Sequence, residues 1–190
     1  MKYLDEQYYH VFNRGSRSEK IFFSIANYEY FLRLLTKNAA THLIYLVAYC
    51  LMPNHYHLVL QQKENGCISK FIQSVMTSYV QAINKKYNTS GTVFQGKAKA
   101  KLIDSHEYIL QVIRYIHLNP VSARLVRVPQ GWQFSDYRKW IETDLFSGIS
   151  RIDNLRDSYF VNANEYQKFV EEYQFEQKNN KIEKFLFDDD

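Results

Sequence analysis

Ten consecutive apolar or aromatic residues, Leu43 to Met52, run up to Pro53-Asn54, and a second stretch, His55-Tyr56-His57-Leu58-Val59-Leu60, starts directly after them. Proline has no N–H to give to a ladder, so Pro53-Asn54 belongs in a turn. The two stretches therefore predict a hairpin, Leu43 to Met52 against His55 to Gln61. Side chains alternate between the two faces of a strand, which puts both imidazoles on one face and Tyr56 on the other. Two imidazoles side by side are half of a metal site. The ten-residue run is also too short to cross a bilayer, which takes about 20 apolar residues.

The flanking segments supply the other elements. Tyr8 to Asn13 is apolar and aromatic and stops at Arg14-Gly15-Ser16, a strand and a turn. Asn27 stands where a helix reaching about Asn38 would be capped, with Tyr30, Phe31, Leu34 and Leu35 at helical spacing. From Ser69 to Lys86 the residues Phe71, Ile72, Val75, Met76, Tyr79, Val80 and Ile83 repeat at i, i+3, i+4 and i+7, a second helix. Lys97 to Ile103 alternates as a strand with one basic face. Asp104-Ser105 caps a third helix from His106 to about Leu118, which Pro120 is expected to stop. The order β-α-β-β-α-β-α folds most simply as an α+β, ferredoxin-like antiparallel sheet with helices on one face. Pro129 to Trp140 reads as an irregular, aromatic-rich cover and Asn164 to Gln177 as an added amphipathic helix. This divides the chain into a main domain over 1–142 and an acidic, helical C-terminal extension over 143–190.

Composition narrows the class. From Leu145 onward ten acidic residues face six basic ones, a net −4, so the total of +4 leaves +8 on residues 1–144. A basic body suits a polyanionic partner. Aromatic residues make up 16% of the chain, enough to fill a core and also to offer stacking platforms for unpaired bases. Cys50 and Cys67 form no C-x-x-C pair, which argues against a disulfide framework or a zinc knuckle. With no apolar signal core near Met1 and no membrane-length segment, the expectation is a cytoplasmic protein without a membrane partner.

The chemistry centres on two segments. On the third helix Tyr115 and Asn119 lie one turn apart and share a face. Two neutral imidazoles, His55 and His57, with the amide oxygen of Asn119 would hold a divalent cation, magnesium or manganese, and leave positions open for phosphate oxygens. Tyr115 is the candidate nucleophile; a phenol, with a pKa ordinarily near ~10, is helped to ionise by an adjacent cation. A phosphotyrosine ester keeps the energy of the broken phosphodiester, so a tyrosine nucleophile suits nicking and joining better than digestion. Lys97, Lys99 and Lys101, on one strand face, are placed to track a DNA backbone, and Arg14 to clamp phosphate or base edges. His10 and His117 read as structural.

These residues resemble a known family. Pro53-Asn54-His55-Tyr56-His57-Leu58 with Tyr115-Ile116-His117-Leu118-Asn119-Pro120-Val121 is similar to the REP-associated tyrosine transposases, relatives of the single-tyrosine HUH transposases of insertion sequences. His10-Val11-Phe12-Asn13-Arg14-Gly15, Gly91-Thr92-Val93-Phe94-Gln95-Gly96 and Trp132-Gln133-Phe134-Ser135-Asp136-Tyr137 extend the likeness over roughly residues 8–140. The sequence departs from the family pattern at Lys97-Ala98, where an arginine and an aromatic are usual, and at Asp136, where a second serine is usual. The resemblance implies an HUH endonuclease domain that cuts single-stranded DNA beside a hairpin, a REP-like palindrome, leaving a 5′-phosphotyrosine and a free 3′-hydroxyl. It maps the metal ligands onto His55, His57 and Asn119 and the nucleophile onto Tyr115. It is compatible with either a monomer or a homodimer.

Two other functions share these features. A non-catalytic single-strand binder could use the same sheet plan, yet no segment carries the Lys/Arg-Gly-aromatic signature of RNA-recognition modules. A metal-dependent phosphodiesterase would use water in place of the phenol and would form no covalent adduct.

Overall fold

The computed structural model describes residues 2–142 and 152–176. Strands β1 (Tyr8–Arg14), β2 (Ile44–Met52), β3 (His55–Gln62) and β4 (Lys99–Ile103) alternate with helices α1 (Ile25–Thr41), α2 (Ile68–Tyr87) and α3 (His106–Ser122) in the expected order. They form one sheet in the order β2-β3-β1-β4, antiparallel throughout. Among the described residues no helix is long and apolar enough to cross a membrane.

Pro53-Asn54 closes the β2–β3 hairpin, with Met52 opposite His55. The turn is tied to the chain that follows β1: Pro53 O accepts from Ile21 N at 2.8 Å, and Asn54 O accepts from Gly15 N at 2.7 Å. Only glycine fits at position 15, since a Cβ there would stand 2.0 Å from Glu19 O. Gly15 also bridges Phe94 in antiparallel fashion, so the Asn-Arg-Gly and Phe-Gln-Gly segments, far apart in sequence, become neighbours.

Both faces of the sheet are apolar enough to bury, and the helices divide between them. Tyr9, Val11, Tyr56, Leu58 and Leu60 pack with Phe31 and Leu35 of α1 and with Phe71, Val75 and Tyr79 of α2. Cys50, Met52, Val59 and Ile103 pack with Ile109, Val112, Ile113 and Ile116 of α3. The expectation of helices on one face therefore holds for α1 and α2 only. The reason lies in the pleat: the residues of β3 alternating with Tyr56, Leu58 and Leu60 include the buried Val59, and they need a cover of their own. That cover is α3, which thereby lies over the strand face that carries His55 and His57.

Ser105 caps α3, its Oγ accepting from Tyr108 N at 3.3 Å. Pro120 does not end the helix, which continues to Ser122. A proline in the last turn forfeits one intrahelical N–H bond, and the turn is completed around it by Ala123 N to Asn119 O and Leu125 N to Pro120 O, both 2.9 Å. At the start of α1 the residue before the helix is Ser24, not Asn27; Asn27 Oδ1 instead accepts from Phe23 N at 3.0 Å and from the Tyr87 hydroxyl at 2.9 Å.

The segment after α3 wraps round the outer edge of β2. Ser135 bridges Cys50, and Leu51 N donates to Phe134 O at 2.9 Å. Phe134 stacks on Tyr28 of α1, ring centroids 3.9 Å apart, while Tyr137 and Trp140 of α4 (Tyr137–Ile141) are buried on the α3 side. At the opposite edge of the sheet β4 pairs, among the described residues, only with β1. Two further helices follow, α5 (Ile152–Tyr159), which the sequence pattern did not suggest, and α6 (Ala163–Glu176). The expected helix Asn164 to Gln177 coincides with α6 except at Gln177, which lies outside the described residues. Tyr166, Val170 and Tyr173 of α6 are buried with the α3 core. Arg114 of α3 donates to Phe169 O at 3.3 Å and lies 4.2 Å from the Phe169 ring centroid and 3.9 Å from that of Tyr173.

Candidate active site

Pairing register decides which side chains meet. Arg14 stands opposite His55, Phe12 opposite His57 and Lys99, and His10 opposite Val59 and Lys101. Partners in an antiparallel ladder project to the same side. The histidines of β3, the even-numbered residues of β1 and the lysines of β4 therefore share the face that α3 covers.

α3 crosses this face with Tyr115 and Asn119 turned toward the histidines. His55 Nε2 and Asn119 Oδ1 are 3.2 Å apart. The rings of His57 and Tyr115 meet edge to face, centroids 5.7 Å apart, and those of His55 and His57 do so at 5.0 Å. All four residues line a cavity of about 460 Å³, which Arg14, Lys97 and Lys99 border on the β1 and β4 side. Seven of the eight residues nominated from sequence thus converge on one cavity; Lys101 is the exception, standing further along β4 opposite His10. Tyr108, two turns before Tyr115, does not line it. His57 is deeper than its place in a cleft suggests, at 1% exposure, whereas His55 is half-buried.

Each imidazole is held from behind. Asn54 Oδ1 accepts from His55 Nδ1 at 2.7 Å, and Asn54 Nδ2 donates to Ser18 O at 3.3 Å. A neutral His55 protonated at Nδ1 carries a lone pair at Nε2, and this faces Asn119 Oδ1, itself an acceptor. His57 Nδ1 lies 3.0 Å from Nε2 of the buried His10. Burial, reinforced by His10 and His55, lowers the His57 pKa well below the ordinary histidine value and keeps the ring neutral, the form that binds metals.

Among the described residues no group of three or more His, Cys, Asp or Glu is arranged to hold a metal; the candidate donor set is two imidazoles and a carboxamide. Adjacent ligands of an octahedral cation such as magnesium, each at about 2.1 Å, stand about 3 Å apart. The two acceptors at 3.2 Å fit a shared cation of that kind.

Several cavity residues were not nominated from sequence. Asn54 precedes the histidine pair directly, and only its hydrogen bond to His55 distinguishes it from a turn residue. Asn13 and Gln95 meet through Arg14: Asn13 Oδ1 accepts from Arg14 N at 2.9 Å, Gln95 Oε1 accepts from Arg14 Nε, and Asn13 Nδ2 donates to Gly96 O at 3.0 Å. The motif blocks hinted at these residues, but their meeting depends on the Gly15–Phe94 bridge, which no local pattern encodes. His117, on the same helix as Tyr115, points elsewhere. Its Nδ1 is 2.6 Å from the Tyr166 hydroxyl and its Nε2 is 3.0 Å from Asp136 Oδ1, all of it buried.

Comparison with known proteins agrees with this arrangement. A curated relative from Haemophilus influenzae, provisionally named a REP-associated tyrosine transposase, is 26% identical over 111 residues, 53% of this chain and 62% of the relative. The aligned part thus spans less than two thirds of that relative's length. The fold is that of a solved REP-associated tyrosine transposase bound to a REP hairpin, at a TM-score of 0.65 and 15% identity, covering 77% of this chain and 86% of that one. The family model described as "Transposase IS200 like" matches residues 3–119. That match takes in the sheet, the histidine hairpin and α3 as far as Asn119, more than half of the chain, and the protein belongs to the family of IS200-like transposases.

Proposed function

We propose that this protein is a metal-dependent single-stranded DNA endonuclease and strand transferase that acts next to DNA hairpins through a 5′-phosphotyrosine intermediate. One observation supports this above the others: Tyr115, His55, His57 and Asn119 line a single cavity whose border carries Arg14, Lys97 and Lys99. A solitary nucleic-acid binder has no use for that conjunction of phenol, imidazoles and carboxamide.

His55, His57 and Asn119 would hold the divalent cation, magnesium or manganese, which supplies Lewis-acid withdrawal of charge from a phosphate oxygen. Arg14, Lys97 and Lys99 bind the backbone on either side and keep the scissile phosphate within reach of α3. Tyr115 Oη attacks phosphorus, forming the phosphotyrosine bond as the bond to the 3′ oxygen breaks, and the phenolic proton is balanced by the proton gained by the released 3′-hydroxyl. The reverse attack by a 3′-hydroxyl rejoins a strand and restores the phenol. The relative bound to a REP hairpin supports a hairpin-bearing partner for this chain.

His55 is the better ligand to test by truncation, because it is half-buried and His57 is in the core. His55→Ala is expected to reduce cleavage of a hairpin-flanked single strand by at least about 100-fold while near-UV circular dichroism stays that of the wild type. Excess chelator is expected to do the same. Cleavage at the wild-type rate in either case removes the metal from the mechanism, and release of a free 5′-phosphate without any denaturation-resistant adduct makes the enzyme a hydrolase.

Salt dependence tests the DNA path. Lys97→Ala with Lys99→Ala is expected to flatten the slope of log affinity against log salt by a fraction of a unit to about one unit for each phosphate that the two lysines neutralise in the wild type. Lys101→Ala, outside the cavity lining, is expected to leave it nearly unchanged. A larger effect from Lys101 than from the other two would move the strand along β4.

A further inference from the structure

His10 plays no part in the phosphoryl chemistry, yet it is one of the most enclosed polar residues in the chain, at 0% exposure. Its ring stacks against that of His57 with centroids 5.2 Å apart and lies 4.9 Å from that of Phe12. Its Nε2 stands 3.0 Å from His57 Nδ1. Its other nitrogen, Nδ1, is buried without a hydrogen-bond partner among the described residues. Burial, with a smaller contribution from Lys101, lowers its pKa to about 3, so both rings are neutral.

Two neutral rings facing through one nitrogen each share a single proton at the contact. If that proton belongs to His10 Nε2, then His57 carries its own proton on Nε2 and has no lone pair there to offer a cation. If it belongs to His57 Nδ1, then His57 Nε2 is a ligand, and the proton of His10 sits on Nδ1, buried without an acceptor. Only the second arrangement leaves His57 Nε2 a lone pair for a cation, so a cation bound there selects it.

We propose that His10 is a positioning residue for the metal site: it accepts the His57 Nδ1 proton and fixes His57 in the tautomer whose Nε2 coordinates. This rests on the metal-dependent function proposed for the cavity. A ring at position 10 with no acceptor would strand the His57 Nδ1 proton and hold His57 in the non-ligating tautomer. A side chain with an amide oxygen would restore the acceptor.

The full-length protein, without DNA, carries the test. Manganese affinity is measured by electron paramagnetic resonance for the wild type, His10→Phe, His10→Gln and His55→Ala. His10→Phe is expected to weaken manganese binding by about 10- to 100-fold, and His10→Gln to recover most of that loss. In the wild type, long-range proton–nitrogen spectra of the histidine rings are expected to show His57 protonated at Nδ1 in saturating magnesium. The role of His10 is overturned if His10→Phe binds manganese as the wild type does while His55→Ala does not, or if His57 keeps its Nε2 proton in saturating magnesium. If neither His10→Phe nor His55→Ala changes manganese affinity, the metal site itself is wrong and the inference falls with it. The spectra of the wild type decide the matter should His10→Phe fail to fold.

Discussion

Tyr115→Phe is expected to take the covalent protein–DNA adduct below detection, with an unfolding free energy within about 1 kcal/mol of the wild type and hairpin binding unchanged. The ring is half-buried and its edge-to-face contact is with His57, and phenylalanine preserves both the volume and that contact. What goes is the oxygen proposed to attack phosphorus, and removal of a nucleophile costs on the order of 10⁴-fold or more in rate. Tyr108→Phe is the control on the same helix. Burial and Asp104 raise the Tyr108 pKa above the ordinary phenol value, and the residue stands outside the cavity, so its adduct yield is expected to match the wild type. Adduct loss in Tyr108→Phe with retention in Tyr115→Phe would misplace the register of the whole site. Retention in both would separate cleavage from tyrosine chemistry altogether.

The second large effect is on stability. Asp136→Ala is expected to lower the unfolding free energy by about 3–5 kcal/mol, read from urea denaturation. Asp136 is 3% exposed and its carboxylate accepts from Tyr49 N at 2.8 Å and Trp140 Nε1 at 3.2 Å, and lies 3.0 Å from His117 Nε2. Alanine leaves these donors buried and unpaired. Because His117 lies between Tyr115 and Asn119 on α3, the substitution is also expected to lower adduct yield, through the position of the helix and not through the chemistry. A double-mutant cycle between Asp136 and Tyr166, the other residue at His117, is expected to give a coupling of about 1–3 kcal/mol. A coupling near zero would mean that the two residues stabilise α3 separately.

Much of the fold was legible from local pattern. The hairpin could be read because a proline separates two apolar runs, and α2 because its apolar positions repeat over five turns. That His55 and His57 share a strand face and Tyr115 and Asn119 a helix face followed from alternation on a strand and one-turn spacing on a helix, two periodicities that hold wherever those elements form; that the two faces meet was expected from the family resemblance. Tertiary choices were not legible. The side of the sheet taken by α3 depends on Val59 and Cys50 needing cover, and a strand buried on both faces has no polar side to orient it. Pro120 looked like a stop because the rule concerns an isolated helix, and here residues 123–125 complete the last turn. His10 read as structural since its partner is 47 residues away. Asp136 looked like a departure from a serine pattern, and only the burial of His117 and Trp140 around it explains a carboxylate there.

The two borders of the sheet are treated differently, and this bears on how the protein behaves at high concentration. Along the second half of β2 the backbone groups of Tyr49 and Leu51 are engaged by residues 134–136, which interrupts the edge that a foreign strand would need. β4 is short, five residues, and carries Lys99 and Lys101 with Lys97 just before it. Two copies aligning their β4 strands would set these ammonium groups against one another, which blocks runaway lateral growth as a charged border does in other sheets. That protection is electrostatic, so it weakens as salt rises or as a polyanion neutralises the lysines. The protein is thus guarded against lateral self-assembly by geometry on one side and by charge on the other, and only the charged side can be switched off.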